Sequence, residues 1–598
     1  MFLRRLIHAS CLLLIGHSLA LGQTPASTQP EASTGLQASA GLHFKQRGVA
    51  SAHPLASEAG YRILQAGGSA VDAAIAVQLV LTLVEPQSSG IGGGAFMLHH
   101  DGRQLQVFDG RETAPVLAPD DLFMHNGKPM TFNDVVAGGR SVGVPGLVRM
   151  LALAHQQHGK LAWASLFEPA IELAEKGFPI SPRLHALLKA EKSLLQDPQS
   201  VDYFFNPDGT PLPVGHVLTN PGLAAVYKAI AARGADAFYT GEVAQSIVNK
   251  VQQHPNNPGL LTMSDMRKYR PAVRDALCFS HTAGNQQALQ VCGVGAPSSG
   301  LIAMGQIFGI LSQNNTATHA VSSVDWLHNY NEAARLAFAD RAMYVADPAF
   351  VNPPANDWSS LLNPSYLQER ARLVAPYRAS DVSAGTPGGK ATSYAPMPTD
   401  VEYGTSHISI VDGQGNAVAM TSSIESGFGA RIMVSTGARG GFMLNNQLTD
   451  FSFAPRDEKG VFVANRLQAG KRPRSSMNPI LVFATDAQGQ RGPLQINMGS
   501  PGGSMIIHYT SQSLWAMLHA NMNAQDAIKQ PHSGVGAANG PLLLEKPLFS
   551  ADTMDSLRAR GHQVQQIDMN SGLQVIQRDG QAWFGAADPR REGSVSGD

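Results

Sequence analysis

The sequence predicts a mixed α/β (α+β) fold on three observations. A hairpin reads at residues 403–426, and its first arm alternates: Ser406, Ile408 and Ile410 fall on one face, Thr405, His407 and Ser409 on the other. Two helices read between residues 51 and 84, the second apolar nearly all round. Further helices alternate with polar loops over 146–380, at 163–176, 221–233, 243–253 and 323–346. Charged residues make up only 15% of the chain and glycines number 60, the composition of a compact, loop-rich enzyme with buried helices. A net charge of −1 without a basic stripe argues against a nucleic-acid partner. Length alone suggests roughly four domains, yet no composition shift marks a linker.

Residues 1–22 read as a secretory signal. Arg4 and Arg5 form the positive end, residues 9–20 are largely apolar, and Ser18-x-Ala20 or Ala20-x-Gly22 offers small residues for cleavage. The apolar run is short for a membrane span. Residues 23–40, rich in Ser, Thr, Ala, Gln and Pro, read as disordered. Export places the chain in the periplasm or outside the cell, with no other membrane association. It leaves two cysteines, Cys278 and Cys292, flanking an Asn-Gln turn region. A disulfide is expected there, two buried thiols being the alternative.

Helix 54–65 ends at Gly67-Gly68, a C-cap signal, and helix 70–84 stops before Pro86. Gly90-Ile91-Gly92-Gly93-Gly94-Ala95 formally fits a dinucleotide fingerprint. A helix precedes it and a strand follows, the reverse of the order that sets a phosphate on a helix N-terminus. Gly293-Val294-Gly295 has the right order but no acidic residue about twenty positions on; Pro297-Ser298-Ser299 reads as a turn and helix cap. No cofactor is expected.

Arg111 follows a strand in Asp109-Gly110-Arg111-Glu112-Thr113-Ala114-Pro115. A lone Arg there is usually a surface ion pair, but its planar fork also suits a carboxylate. Gly139-Arg140-Ser141-Val142-Gly143 matches a nucleophile elbow, which needs a strand turning directly into a helix. Here Val144-Pro145-Gly146 intervenes, with Pro145 suited to the first helical position. His155 and His158 read as surface residues of helix 146–158, and no set has metal-site spacing.

In the hairpin, residues 412–416 supply turn chemistry, so Val411 faces Ala417 and Thr405 faces Ser423, with Glu425 one step further along that face. By itself this is a polar sheet face. A Thr hydroxyl becomes a nucleophile when a base is close, and cutting the chain before it frees an α-amine of pKa about 7.7–8.0 for that task.

Thr405-Ser406-His407-Ile408-Ser409-Ile410-Val411-Asp412, followed by Gly415-Asn416-Ala417-Val418-Ala419, resembles the start of the small subunit of the γ-glutamyltransferases. The resemblance runs from about Gly48 to the C-terminus in at least five segments. It implies the four-layer αββα sandwich of the N-terminal nucleophile hydrolases and a proenzyme that cuts itself before Thr405. A large piece, 41–404, and a small piece, 405–598, then form one composite domain. Residues 381–400 would be a mobile tail leading to the cut.

The same resemblance implies the site residues. Arg111 holds the substrate α-carboxylate, joined by Ser475 and Ser476 of Lys471-Arg472-Pro473-Arg474-Ser475-Ser476-Met477. Gln447 and Asp450, in Leu444-Asn445-Asn446-Gln447-Leu448-Thr449-Asp450, bind the α-ammonium. Many family members have Asn at position 425 and some have Glu at 447; here Glu425 and Gln447 exchange acid and amide, keeping two carboxylates for one ammonium. Gly502 and Gly503, in Gly499-Ser500-Pro501-Gly502-Gly503-Ser504, are the oxyanion donors, and Ser423 orients Thr405. The expected substrates are a glutathione-like γ-glutamyl donor and water, an amino acid or a peptide as acceptor. The lid segment 451–470 has no Tyr or Trp, only Phe451, Phe453 and Phe462, so the pocket is expected to be open. The rival within the fold is a glutaryl-cephalosporin acylase. The rivals outside its chemistry are a Ser141 esterase and an exported solute-binding protein.

Overall fold

The computed structural model describes residues 36, 40–314, 316–378, 381–389, 392–398 and 404–598. The signal segment, and 23–40 apart from Leu36 and Ala40, lie outside them.

Two seven-stranded sheets form the centre. The first runs, in spatial order, Ser594–Gly597, Gly48–Ser51, Ser406–Val411, Ala417–Ser423, Gly94–His100, Leu105–Asp109 and Ala272–Asp275. The second runs Leu42–Phe44, Ala582–Ala587, Gln574–Asp579, Arg491–Gly499, Ile480–Thr485, Ala288–Gly293 and Leu277–Thr282. Each sheet therefore mixes strands from before and after residue 405.

Alternation assigns the layers. Ile408, Ile410, Val418 and Met420 pack outward against the helices Pro54–Gln65 and Ala70–Val84. Ser69 and Asp72 form a capping box at the start of Ala70–Val84, and every residue of that helix is buried. Val411, Ala417 and Ala419 point inward and meet Leu481, Phe483 and Ile576 of the second sheet. The far face of that sheet, with Ile480, Val482, Ile496 and Val575, is covered by the helices Gly300–Gln313, Val324–Tyr344 and Ile506–His519. This is the αββα sandwich.

Polar clamps join the sheets. The Asn497 amide donates to the carbonyls of Ile410 at 3.0 Å and Val418 at 2.9 Å, and Ser409 Oγ donates to Gln574 O at 3.1 Å. Cys278 and Cys292 are disulfide-bonded across adjacent strands.

The hairpin register is the one counted from the sequence, from Ser406 opposite Ser422 to Val411 opposite Ala417. Several boundaries differ. Residues 163–176 split into a 3-10 turn, Trp163–Phe167, and the helix Glu168–Lys176. Pro145 stands outside its helix, which has Gly146 as N-cap; its carbonyl accepts from Tyr239 Oη instead. Ser299 occupies the N-cap of Gly300–Gln313 without a side-chain cap bond, because its hydroxyl donates to Ser475 O at 2.8 Å. The described parts of the expected tail are packed: Val382, Ala395 and Met397 are buried, and Ala395 N donates to Phe462 O. Residues 390, 391, 399 and 400 lie outside the described residues. No described helix is long and apolar enough to cross a membrane.

Candidate active site

Thr405 and Ser423 meet at one carbonyl. Thr405 Oγ1 donates to Gly404 O at 2.5 Å, and Ser423 Oγ donates to the same oxygen at 2.7 Å. All three residues are buried. A Cβ on Gly404 would lie 2.7 Å from Glu425 O, so only glycine allows this close approach. The carbonyl of Thr405 accepts from Arg591 Nη1 at 3.4 Å. One residue on, Ser406 turns to the outer face and donates to Glu85 at 2.9 Å.

His407, on the inner face beside Thr405, is not a base here. Burial lowers its pKa to about 3. Its ring nitrogens are engaged by the hydroxyls of Thr421 at 2.8 Å and Ser409 at 3.1 Å.

Several of the residues expected to bind the donor meet one another, and the others pair with neighbouring residues. Arg111, 1% exposed, pairs with Asp450 and donates to Pro473 O at 3.2 Å and Arg474 O at 2.8 Å. Asp450 also accepts from Gln447 Nε2 at 2.7 Å, across the 3-10 turn Gln447–Asp450. Ser475 Oγ accepts from Met477 N, and Ser476 Oγ from Arg341 Nη2 at 2.7 Å. Glu425 lies just past the end of its strand with φ +77°. Its backbone N–H donates to Ser423 Oγ at 2.8 Å, and its carboxylate accepts from the Asn446 amide. A left-handed backbone thus turns Glu425 from the sheet face toward the 445–450 loop.

Gly502 and Gly503 both have positive φ, +127° and +59°, and lead through a 3-10 turn into the helix Ile506–His519. A Cβ on Gly502 would lie 2.5 Å from the Tyr509 ring. The preceding strand brings the turn toward the Thr405 strand: a Cβ on Gly499 would meet His407 at 2.3 Å, and one on Gly572 would meet Pro501 at 2.5 Å and Arg591 at 2.7 Å. Successive left-handed residues leading into a helix make a backbone nest for negative charge.

Ser141 is not a competing nucleophile. It lies in the 3-10 turn Gly139–Ser141, fully buried, and its hydroxyl donates to Val136 O and Gly138 O. His155 binds Leu161 O and His158 binds Gln106, both half-buried. The lid aromatics turn elsewhere: Phe453 meets Phe123, and Phe462 is sandwiched between Arg456 and Arg466.

The sequence profile described as Gamma-glutamyltranspeptidase matches residues 56–598. This chain belongs to the γ-glutamyltranspeptidase family. It is an enzyme of γ-glutamyl transfer and hydrolysis. The "Glutathione hydrolase proenzyme" of Bacillus subtilis (strain 168) is 34% identical over 562 residues, covering 92% of this chain and 91% of that one. The protein of the same description from Escherichia coli (strain K12) is 33% identical, covering 98% of each. The crystal structure of a cephalosporin acylase from Bacillus halodurans superposes with a TM-score of 0.79 at 27% identity, covering 95% of this chain and 99% of that one.

Within this γ-glutamyltranspeptidase-family site, sequence reasoning passed over four contributors. Arg341, in a long helix, grips Ser476 and Ser299. Asn446 ties Glu425 to Thr449. Lys471, fully buried, donates to the carbonyls of Ala464 at 2.6 Å and Arg466 at 3.1 Å and to Gln468 at 3.1 Å. Glu112 is fully buried beside Arg111, and neither carboxyl oxygen has a hydrogen-bond partner among the described residues. Burial, opposed by Arg111, pushes its pKa up to about 8. Asn446, Lys471 and Glu112 stand inside quoted motifs. Arg341 had no local signal.

Proposed function

We propose that the chain cuts itself between Gly404 and Thr405, and that the freed Thr405 carries the γ-glutamyl group of glutathione or a related amide. The observation that carries this is the Gly404 carbonyl, which accepts from both Thr405 Oγ1 and Ser423 Oγ. Two hydroxyl donors polarise the bond to be cut and hold the attacking oxygen against it.

In the first round Thr405 Oγ attacks the Gly404 carbon, the peptide C–N bond breaks, and the resulting ester is hydrolysed. This leaves a large piece, 41–404, and a small piece, 405–598. In the second round the new α-amine of Thr405 takes the hydroxyl proton as Oγ attacks the γ-amide carbon, and returns it to the leaving amine. Gly502 and Gly503 receive the oxyanion, each donor being worth about 2.7–4 kcal/mol. Arg111, Ser475 and Ser476 take the donor α-carboxylate; Asp450, Glu425 and Gln447 take its ammonium. A bound donor would insert between Arg111 and Asp450, giving each a counter-charge in place of the other. Water or an amino-acid or peptide acceptor then releases the acyl group. The "Glutathione hydrolase proenzyme" relatives support both the substrate class and the precursor. Residues 1–22 direct the protein to the periplasm or medium, in keeping with its disulfide.

Intact mass and N-terminal sequencing test this directly. Wild type should give two pieces, the smaller starting at Thr405, and Thr405→Ala one uncut chain. Cleavage in that variant, or a different new N-terminus, would refute the assignment.

A second reading follows from the 0.79 TM-score to a cephalosporin acylase. Glutaryl amides lack the α-ammonium that two carboxylates await here. A γ-glutamyl anilide should therefore be hydrolysed far faster than its glutaryl analogue; the reverse order would establish an acylase.

A further inference from the structure

The Cys278–Cys292 disulfide takes no part in the site described above. The two residues stand directly opposite each other on neighbouring antiparallel strands, with their Cα atoms 4.1 Å apart. Paired residues continue on both sides, from Leu277 opposite Gly293 to Thr282 opposite Ala288. The ladder therefore holds the two sulfurs together whether or not they are bonded. Breaking the bond leaves both thiols in position to close again.

The two sulfurs are not equally reachable. Cys292 is fully buried on an inner strand, whereas Cys278 is half-buried on the edge strand Leu277–Thr282. The exposed side chain of Arg491 stands over this edge, with Nη2 4.0 Å from Cys278 Sγ. Its positive charge draws an incoming thiolate and offers a fork to any carboxylate on the same molecule.

We propose that Cys278 is a reversible thiolation site for small carboxylate-bearing thiols. The incoming thiolate sulfur attacks Cys278 Sγ, the Cys278–Cys292 bond breaks, and Cys292 leaves with the electron pair. The proton lost by the incoming thiol ends on Cys292. The products are a mixed disulfide at Cys278 and a buried thiol at Cys292. A second thiol attacks the sulfur of the bound small molecule, releasing a free disulfide and a Cys278 thiol. Two electrons pass from two small thiols to the protein, and the reverse sequence restores the original bond.

The test is exchange of the mature enzyme, its γ-glutamyl activity first blocked with a covalent γ-glutamyl analogue, with graded mixtures of glutathione and its disulfide, read by peptide-mapped mass spectrometry. The expected product carries one glutathionyl group on Cys278, with Cys292 open to alkylation only after unfolding. In glutathione disulfide, native Cys292→Ser should gain the adduct at Cys278. Native Cys278→Ser should gain at least about tenfold less at Cys292. Unchanged γ-glutamyl hydrolysis serves as the folding control for both variants. Arg491→Gln should slow adduct formation by glutathione several-fold more than by cysteamine, which has no carboxylate. A wild-type protein without adduct across the whole series overturns the proposal, as does equal labelling of Cys292 in Cys278→Ser. Equal slowing of both thiols by Arg491→Gln overturns the carboxylate-bearing class.

Discussion

The hairpin that carries Thr405 and the loops that carry Asp450 and Ser475 hold polar groups in a dry interior by different means. In the hairpin, position comes from backbone register. Thr405 continues a ladder that runs unbroken from Ser406–Ser422 to Val411–Ala417, and the hydroxyls it carries are neutral. In the loops, position comes from charge. Arg111 spans Asp450, Pro473 O and Arg474 O, and Lys471 sits inside a ring of oxygens from the loop 464–468. A register tolerates loss of one side chain with little change in place. A charge-built pocket depends on each partner, because removing one leaves the other buried alone. The chemistry should therefore be separable from recognition.

The largest effect is expected at Ser423→Ala. It removes one of two donors on the Gly404 carbonyl while leaving the ladder intact, so chain cleavage and kcat should fall about 10³-fold with KM little changed. Single-turnover cleavage and steady-state kinetics measure both; a rise in KM of similar size would place Ser423 in recognition instead.

Arg111→Ala should show the opposite split, raising KM for a γ-glutamyl donor about 10²-fold while self-cleavage stays near wild type. Equal loss of both would assign Arg111 to folding. In the double-mutant cycle with Asp450→Ala, the two losses should be strongly non-additive, because one ion pair is removed twice.

The last effect is on stability rather than turnover, and concerns pH. Burial, with Arg466 nearby and Asp347 opposing, lowers the Lys471 pKa to about 7. An unfolded Lys titrates near 10.4, so between about pH 7 and 10 the unfolded chain binds one more proton at this residue than the folded chain. Stability from Lys471 therefore rises with pH across that window, by up to about 1.4 kcal/mol per unit, and is flat below it. Wild type should gain on Lys471→Met from pH 7 to 10 in denaturant titrations. A constant difference between the two would show that Lys471 stays charged.

The hairpin was legible because period-two alternation and a five-residue turn leave one register, and that register alone puts Thr405 opposite Ser423. The helices Pro54–Gln65 and Ala70–Val84 were legible to the residue, since Gly67-Gly68 and Pro86 punctuate them. Arg111, Gln447, Asp450, Ser475 and Ser476 were legible only through likeness to a family, because nothing local separates a pocket Arg from a surface one. Arg341 shows the limit. Its side chain reaches Ser476 from 135 positions away, and in its own helix it is one charge among several. The exchange of acid and amide at 425 and 447 was visible, but not that Glu425 would lean on Asn446 through a left-handed turn.

The interleaving of strands has a consequence for the molecule after scission. In the first sheet, Ser406–Val411 lies between Gly48–Ser51 on one side and Ala417–Ser423 on the other; Ala417–Ser423 in turn pairs with Gly94–His100. A break before Thr405 severs one covalent link but no rung of either ladder. The two polypeptides would share a single interior, with no surface along which they could part. Their melting should be one cooperative event whose midpoint is insensitive to dilution until the core itself opens. Neither polypeptide produced alone should attain a native state, since each would lack the neighbouring strands that complete its sheets.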